Sequence, residues 1–339
     1  MKQIMDFGFG LIRGARYTLV SLGVLLIATS AFGSAIQDFN LIAFGNLTGT
    51  SEVEGRTLVF GNITGGTKNF AVDSGAISQP VSTPGVSQSD ALIVGGQIDT
   101  TIQVDHGGTI VRGNDTGADI NNSEYVVYED GTISSLLSIV TAQVAEMTGM
   151  LDGLTVNSTI DLLSDSNNAV FVSTPDADAN ISVFDVDASF FSRNGRYDLV
   201  GDLDADLFVF RVTGASTSLT TGTALNVFEN EFGDADFQKR IVWYFAGFET
   251  LVLSNGLGGS VIASDADLTL RTPVEGSVIA NNVNLYGEIH LPTLDGIPTG
   301  NPSPVPEPAT VLLLGVGLLG LAGAFRPRTG SPQKKIITV

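Results

Sequence analysis

The segment LIAFGNLTG, Leu41 to Gly49, returns almost unchanged as LVFGNITG, Leu58 to Gly65, with its Phe-Gly-Asn step 16 residues later. Near the other end GSVIASDADL, from Gly259, returns as GSVIANNVNL, from Gly276, an offset of 17. Weaker copies are LIVGGQI from Leu92, TIVRGN from Thr109 and LVGDL from Leu199. Each unit is a short apolar or alternating strand closed by a Gly/Asn/Asp turn. No single unit can bury its own apolar residues, but stacked neighbours can, so a near-constant spacing points to the coils of a β-solenoid. A β-sandwich also yields turn-separated strands. Near-identical sequence at each return favours the solenoid.

One stretch departs from this rhythm. TISSLLSIVTAQVAEMTGMLDGL, Thr132 to Leu154, places Ile133, Leu136, Leu137, Val140, Val144, Met147 and Leu151 at steps of three and four. That spacing predicts one amphipathic helix, with Gly131 before it and Gly153 near its end. It is expected to lie along the solenoid flank or to cover an open end, shielding edge strands. The expected fold class is therefore all-β, a solenoid with one flanking α-helix.

The two ends read as addresses. Lys2, Arg13 and Arg16 precede an apolar run to about Ala28, and Gly33 and Ala35 occupy the −3 and −1 positions of a signal-peptidase cut. The mature chain is expected to begin near Ile36; an uncleaved membrane anchor is the alternative. At the other end, residues 309–325 carry no charge and are expected to cross a membrane as a short helix. Arg326 and Arg328 follow, with Lys334 and Lys335, so the tail from 326 to 339 should stay on the cytoplasmic side. Pro306 and Pro308 hold the segment 296–308 extended ahead of that helix, in a form a processing enzyme can grip. An ordinary single-pass anchor with a proline-rich stalk is the plainer reading.

Seven of the 16 Lys and Arg sit in these ends, which leaves residues 36–308 with 9 basic against 35 acidic side chains. Such a body repels nucleic acid. It suits divalent cations, cationic partners or plain solubility. With no cysteine, there is no disulfide, thiolate nucleophile or thiolate metal site. The two histidines, His106 and His290, cannot build a multi-histidine metal centre. Neither a Gly-x-Ser-x-Gly elbow nor a phosphate-binding loop occurs. Carboxylates two apart recur in DADAN, DVD, GDLDAD, GDAD and SDAD, and Asp202, Asp204 and Asp206 make the best candidate calcium ligands. They are no EF-hand, since Leu207 stands where glycine is required. A solvated acidic rim explains the same residues. Threonines in TSLTTGT and TTIQV look isolated rather than stacked, so ice binding remains a lesser alternative.

Two resemblances organise these features. Pro306-Glu307-Pro308, then a glycine-containing apolar helix, then arginines, is similar to the PEP-CTERM sorting signal of Gram-negative bacteria. The resemblance implies cleavage by an exosortase at the tripeptide and release or transfer to the cell exterior. Pro327 divides the arginines and the chain runs on to Val339, a mild departure. The stretches FNLIAFGNLTGTSEVEGRTLVFGNI, RIVWYFAGFETLVLS, GSVIASDADLTL and EGSVIANNVNLYGEIH, with the helix between them, resemble the choice-of-anchor A family of bacterial surface proteins. That family implies an adhesin with a layout like ice-binding β-solenoids, and supplies no catalytic residues. The expected domain spans 36–295, with residues 157–238 the hardest to register. The resulting expectation is an exported, non-enzymatic surface, extracellular-matrix or biofilm protein. Signal peptidase and exosortase would process it, the membrane would hold it transiently, and exopolysaccharide or a cell-surface polymer would be its ligand. A calcium-dependent carbohydrate-active β-helix enzyme is the alternative from another class.

Overall fold

A computed structural model describes residues 34–295 except 112–118, 129–131, 164–166, 194, 223–224 and 228–233. The expected sorting tripeptide, membrane helix, basic tail and Gly33 lie outside the described residues.

The backbone winds as a solenoid whose principal sheet holds β1 (Leu41–Ala43), β2 (Thr57–Val59), β3 (Asp90–Val94), β4 (Gly108–Val111), β5 (Val126–Tyr128), β6 (Ile181–Asp187), β7 (Leu207–Thr213), β8 (Ile241–Phe245), β9 (Ser260–Leu270) and β10 (Val278–Leu285). All these neighbours are parallel. Their order is β5-β4-β3-β2-β1-β10-β9-β8-β7-β6. The register bears out the echoes: Leu41 faces Thr57, Leu92 faces Thr109, and Val261 faces Val278. The copy at Leu199 is the exception, because Leu199 pairs with Phe171 in a different sheet.

The strand order carries a topological consequence. Coils stack outward from β1 to β5, the chain then travels to the far end, and stacking returns inward from β6 to β10. The first and last coils therefore meet in the middle, where Ile42 pairs with Ile279. The traveller is α1, Thr132–Gly153, of 22 residues. At about 1.5 Å per residue it spans about 33 Å, most of the ~43 Å taken by ten strands at ~4.8 Å.

Because α1 lies on the sheet, the strand segments beneath it are buried on both faces, while residues 267–270 of β9 and 283–285 of β10 run on into a second face of the coil. Ile133, Leu136, Val140, Val144, Met147 and Leu151 pack against Ile42, Leu58, Ile93, Val209, Val242, Ile262 and Ile279. The alternate residues Leu41, Val59, Leu92, Phe210, Trp243 and Val261 point into the solenoid interior. A strand buried on both sides reads as a continuous apolar run, which is why ALIV and IVWYF do not alternate. The helix thus covers the flank rather than an end. Leu137 is the one member of the expected stripe left exposed.

The two halves differ in girth. Between β1 and β2 the chain returns after 16 residues, and the interior holds Leu, Val and Ala. Between Ile181 and Leu207 it returns after 26, and rings fill the wider space. Phe184 stacks on Phe210 at 4.8 Å and Phe210 on Trp243 at 4.3 Å. Trp243 Nε1 donates to Gly258 O, so the indole dipole is satisfied inside.

Two further faces complete each coil. One carries Leu47–Gly49, residues 283–285, residues 267–270, Thr250–Leu253 and Ser218–Thr220 in parallel register. The other is a seven-stranded sheet from Leu257–Gly258 to Ile120–Asn121, with Val274, Ile289, Val53, Phe70 and Val104 stacked inward. In the wider half a four-stranded sheet takes its place, in the order Thr159–Leu162, Ala169–Ser173, Gly195–Gly201, Leu225–Val227.

Candidate functional site

The face carrying Leu47–Gly49, residues 283–285, residues 267–270, Thr250–Leu253 and Ser218–Thr220 is the candidate site. Along its strands apolar and polar residues alternate, so Leu47, Val283, Leu268, Leu251 and Leu219 point inward and are buried. The residues between them form an outward row: Thr48 beside Asn284, Asn284 beside Thr269, Thr269 beside Val252, Val252 beside Thr220. Leu47 also bridges Ile63, which sets Thr64 next to Thr48. A second outward row runs Asn282, Asp267, Thr250, Ser218. Strand spacing fixes successive members at ~4.8 Å, and the two rows at ~7 Å from each other.

Asparagines at the corner lock one coil to the next. Asn46 N donates to Asn282 Oδ1 at 2.7 Å, Asn62 N to Asn46 Oδ1 at 2.9 Å, and Gln97 N to Asn62 Oδ1 at 2.8 Å. Asn282 Nδ2 in turn donates to Asp267 Oδ1 at 2.7 Å. This ladder is the physical content of the repeated Phe-Gly-Asn step. Glycine precedes asparagine because a Cβ on Gly45 would sit 2.2 Å from Asn282 Oδ1. Gly49 closes the strand at φ +102°, where an added Cβ would meet Leu285 O at 2.1 Å. A shallow depression of about 280 Å³ opens among Asn46, Thr48, Asp267, Thr269, Asn282 and Asn284. Thr48 Oγ1 donates to Asn284 Oδ1 beside it. The surface offers hydroxyls, amides and one carboxylate, an array suited to many polar contacts.

The expected isolation of the threonines is corrected here. Ser218 and Thr220 of TSLTTGT fall into the two rows, while residues 102–104 of TTIQV belong to another face. The ladder is dispersed in the sequence because its members come from separate coils; its signal there is the spacing of 15 to 17 between Thr48 and Thr64, Thr269 and Asn284, and Val252 and Thr269.

Asp202, Asp204 and Asp206 are not brought together as a cation site. Asp202 Oδ1 accepts from Asp204 N at 3.0 Å, and Asp204 contributes its carbonyl to Asn180 Nδ2. The same local turn recurs at Asp176 with Asp178 N, at Asp187 with Ser189 N, and at Asp234 with Asp236 N. The first carboxylate of each pair caps its own turn. Among the described residues no three His, Asp or Glu side chains converge as a metal site.

His290 ends the last strand between two carboxylates, Nδ1 to Glu275 Oε1 at 2.9 Å and Nε2 to Glu288 Oε2 at 2.8 Å. Burial opposes its protonation, but these bonds and nearby Glu54 outweigh it and raise the imidazole above its usual value. Glu54 also accepts from Leu291 N. The group pins a strand end. A groove of about 680 Å³ runs between Gln79–Pro80 and residues 291–295. Its cations are occupied: Arg56 donates to four carbonyls, those of Ala76, Ile77, Gln79 and Gln88, and Lys239 pairs with Asp236 and Asp295. Ala35, the expected −1 residue of the signal cut, is buried in the helix Ser34–Asp38, and Ile36 O accepts from Ser277 Oγ. Among the described residues no helix is long and apolar enough to cross a membrane.

A family described as "Putative Ice-binding-like adhesive domain" matches residues 32–291, and a PEP-CTERM protein-sorting motif matches residues 304–328. Solved structures with similarity include an ice-binding protein of the Antarctic ascomycete Antarctomyces psychrotrophicus, 15% identical, TM-score 0.34, covering 77% of this chain and 97% of that one. An ice-binding protein from an Antarctic biological consortium gives 15% identity, TM-score 0.28 and coverages of 77% and 88%. One from an Antarctic Flavobacteriaceae bacterium gives 11%, 0.30, 74% and 82%. No curated protein matches. At those scores the strand register, not the superposition, defines the architecture. With three quarters of its length inside one family match, the chain belongs to the ice-binding-like adhesive domain family and carries a PEP-CTERM sorting motif behind that domain.

Proposed function

We propose that this exported protein is an adhesin without enzymatic activity, whose working surface is the uncovered Thr/Asn face. Signal peptidase removes the N-terminal segment, and residues 309–325 hold the chain in the inner membrane. An exosortase then cuts at Pro306-Glu307-Pro308 and passes the domain to the cell surface or matrix. The observation that carries the reading is the pair of outward polar rows. Each contact with a hydroxylated surface polymer such as an exopolysaccharide is weak, and a regular array multiplies them.

Two experiments test this. Thr48→Lys with Thr269→Lys inserts two long charged side chains into the face; retention of immobilised exopolysaccharide should drop at least tenfold while the melting temperature stays within a few degrees. Retention unaltered by the pair removes the face from the proposal. Intact mass from the native host tests the sorting. A species ending near Pro306 should vanish when Pro306, Glu307 and Pro308 become alanine, and an identical mass in both would leave a permanent anchor. The same spectrum reads the N-terminus. A cut after Ala35 would remove two residues of the helix Ser34–Asp38 and leave an ammonium on buried Ile36.

A second reading has its own observation. Threonines at regular strand spacing on a flat face also suit ordered water, so ice is the alternative ligand. Thermal hysteresis abolished by the same double substitution would select ice over polymer.

A further inference from the structure

Two exposed side chains stand together at the rim of the Thr/Asn face. Among the described residues, Arg271 is the one lysine or arginine whose side chain makes no hydrogen bond, ion pair or ring contact, and it is exposed. Tyr286, 56% exposed, is the one exposed aromatic ring among them. The acidic residues within four positions of either are engaged elsewhere: Asp267 with Asn282 Nδ2, and Glu275 and Glu288 with the two ring nitrogens of His290. The guanidinium charge is left uncompensated.

The coil register makes the two neighbours. Leu270 faces Leu285 and Gly49 faces Leu285 on its other side, all three pointing inward and buried. One residue on, Arg271 N donates to Leu253 O, Tyr286 N to Leu270 O, and Thr50 N to Leu285 O, at 2.8 to 2.9 Å. Arg271, Tyr286 and Thr50 therefore form a third column, its members one strand spacing of ~4.8 Å apart. The column lies two residues, or about 7 Å of chain, beyond Thr269, Asn284 and Thr48 of the outward polar row. Beyond Thr50 comes Gly66, whose N donates to Gly49 O, and beyond Arg271 comes buried Ser254. One ring and one cation thus close the edge of a surface otherwise built from hydroxyls, amides and a single carboxylate.

We propose that Tyr286 and Arg271 form a uronate subsite, which makes the ligand of this face an acidic polysaccharide. The inference rests on the reading of the face as polymer-binding and names the polymer's class. The C–H face of a pyranose packs on the electron-rich face of an aromatic ring, which is the contact Tyr286 offers. In a pyranuronate the carboxylate sits one bond outside that sugar ring. A sugar over Tyr286 therefore brings its carboxylate to the guanidinium one strand away, where two parallel N–H donors match its two oxygens. Neutral sugars of the same chain then lie along the threonine and asparagine rows. Elsewhere the domain's excess of carboxylates repels a polyanion, so the free guanidinium also fixes where such a chain settles.

Polygalacturonate and its methyl ester separate charge from sugar, because esterification keeps the ring and removes the carboxylate's charge. Full-length protein in detergent is titrated with each, in EDTA so that no calcium bridges two acidic partners. The wild type should bind the acid about tenfold more tightly than the ester. Arg271→Gln should abolish that preference, Tyr286→Ala should weaken both ligands, and Tyr286→Phe should preserve both. Both side chains are exposed, so the melting temperature should stay within a few degrees in every variant. Equal binding of acid and ester by the wild type, a preference that survives Arg271→Gln, or binding unmoved by Tyr286→Ala overturns the subsite. Dextran sulfate held as tightly as polygalacturonate and insensitive to Tyr286→Ala would reduce it to charge attraction and overturns it too. If neither polygalacturonate nor the ester binds, the subsite falls, and retention of immobilised exopolysaccharide by the wild type against the Thr48→Lys, Thr269→Lys pair still decides the face.

Discussion

Lys68 and His290 are both held away from bulk water, and they make the fold respond to pH in opposite directions. Lys68 points into the solenoid at 1% exposure, and its Nζ donates to the carbonyls of Thr64 and Gly66. Burial lowers its pKa to about 8. Between pH 8 and ~10.5 the unfolded chain therefore binds the extra proton, and stability rises with pH across that window, by on the order of 2–3 kcal/mol. Chemical denaturation at several pH values should show this rise in the wild type and its loss in Lys68→Met; parallel curves would contradict it. His290 is raised, so its contribution is complete below ~6.5 and disappears as pH climbs through the folded-state value. Above that value one ring nitrogen loses its proton, and a lone pair faces Glu275 or Glu288. His290→Gln should flatten the decline of melting temperature on the alkaline side, and an NMR titration of the ring should give a midpoint above that of a free histidine. Neither pH response was legible in the sequence, which shows a lysine and a histidine but not which carbonyls and carboxylates surround them. The asparagines were half legible: the echo revealed that they repeat, and only the coil geometry shows each one accepting from the next.

At the scale of elements, the helix separates what periodicity can supply from what it cannot. The three-and-four spacing located α1 to within a residue, and six of the seven stripe positions are buried. Leu137, flanked by Leu136 in the same pattern, is 39% exposed, because the contact stripe of a helix on a flat sheet is narrower than its apolar face. Val140→Asp would leave an unpaired carboxylate between helix and sheet and should cost more than 3 kcal/mol by denaturant unfolding; Leu137→Asp should stay within about 0.5. Equal effects would place the helix in another rotation. The end of α1 is fixed from the sheet. Arg211 Nη1 donates to the carbonyls of Asp152 and Leu154 while Nε and Nη2 engage Asp185. A cation at a helix C-terminus satisfies orphan carbonyls and opposes the macrodipole. Strands of the narrow half were legible where coils are short: a return of 16 residues keeps the echo in register, and only the 35-residue return from Thr57 to Leu92 carries an insertion, the helix Ser74–Ser78. The wide half was not. Its coils run longer, its interior is packed by rings rather than repeats, and one strand turns antiparallel, so nothing in it returns at a fixed interval.

At the scale of the molecule, the decisive feature is that the last coil made is the central one. β10 pairs on one side with β1 and on the other with β9. Blocks β1–β5 and β6–β9 therefore cannot join into one sheet until residue 278 and beyond are present. Such long-range closure makes folding slow, since loop entropy is lost before the pairing compensates. It also keeps the two blocks apart until nearly the whole domain has emerged. In a solenoid wound from one end to the other, removing the last coil would trim a terminus and leave the remainder cooperative. Here, deletion of residues 277–292 opens a seam in the middle of the sheet, exposing the edges of β1 and β9 and stripping Ile42 and Ile262 of a neighbour in the layer under α1. The shortened chain should lose its cooperative thermal transition and aggregate through those edges. A deletion variant that still melts in one sharp step near the wild-type midpoint would mean that α1, and not the central coil, holds the two halves together.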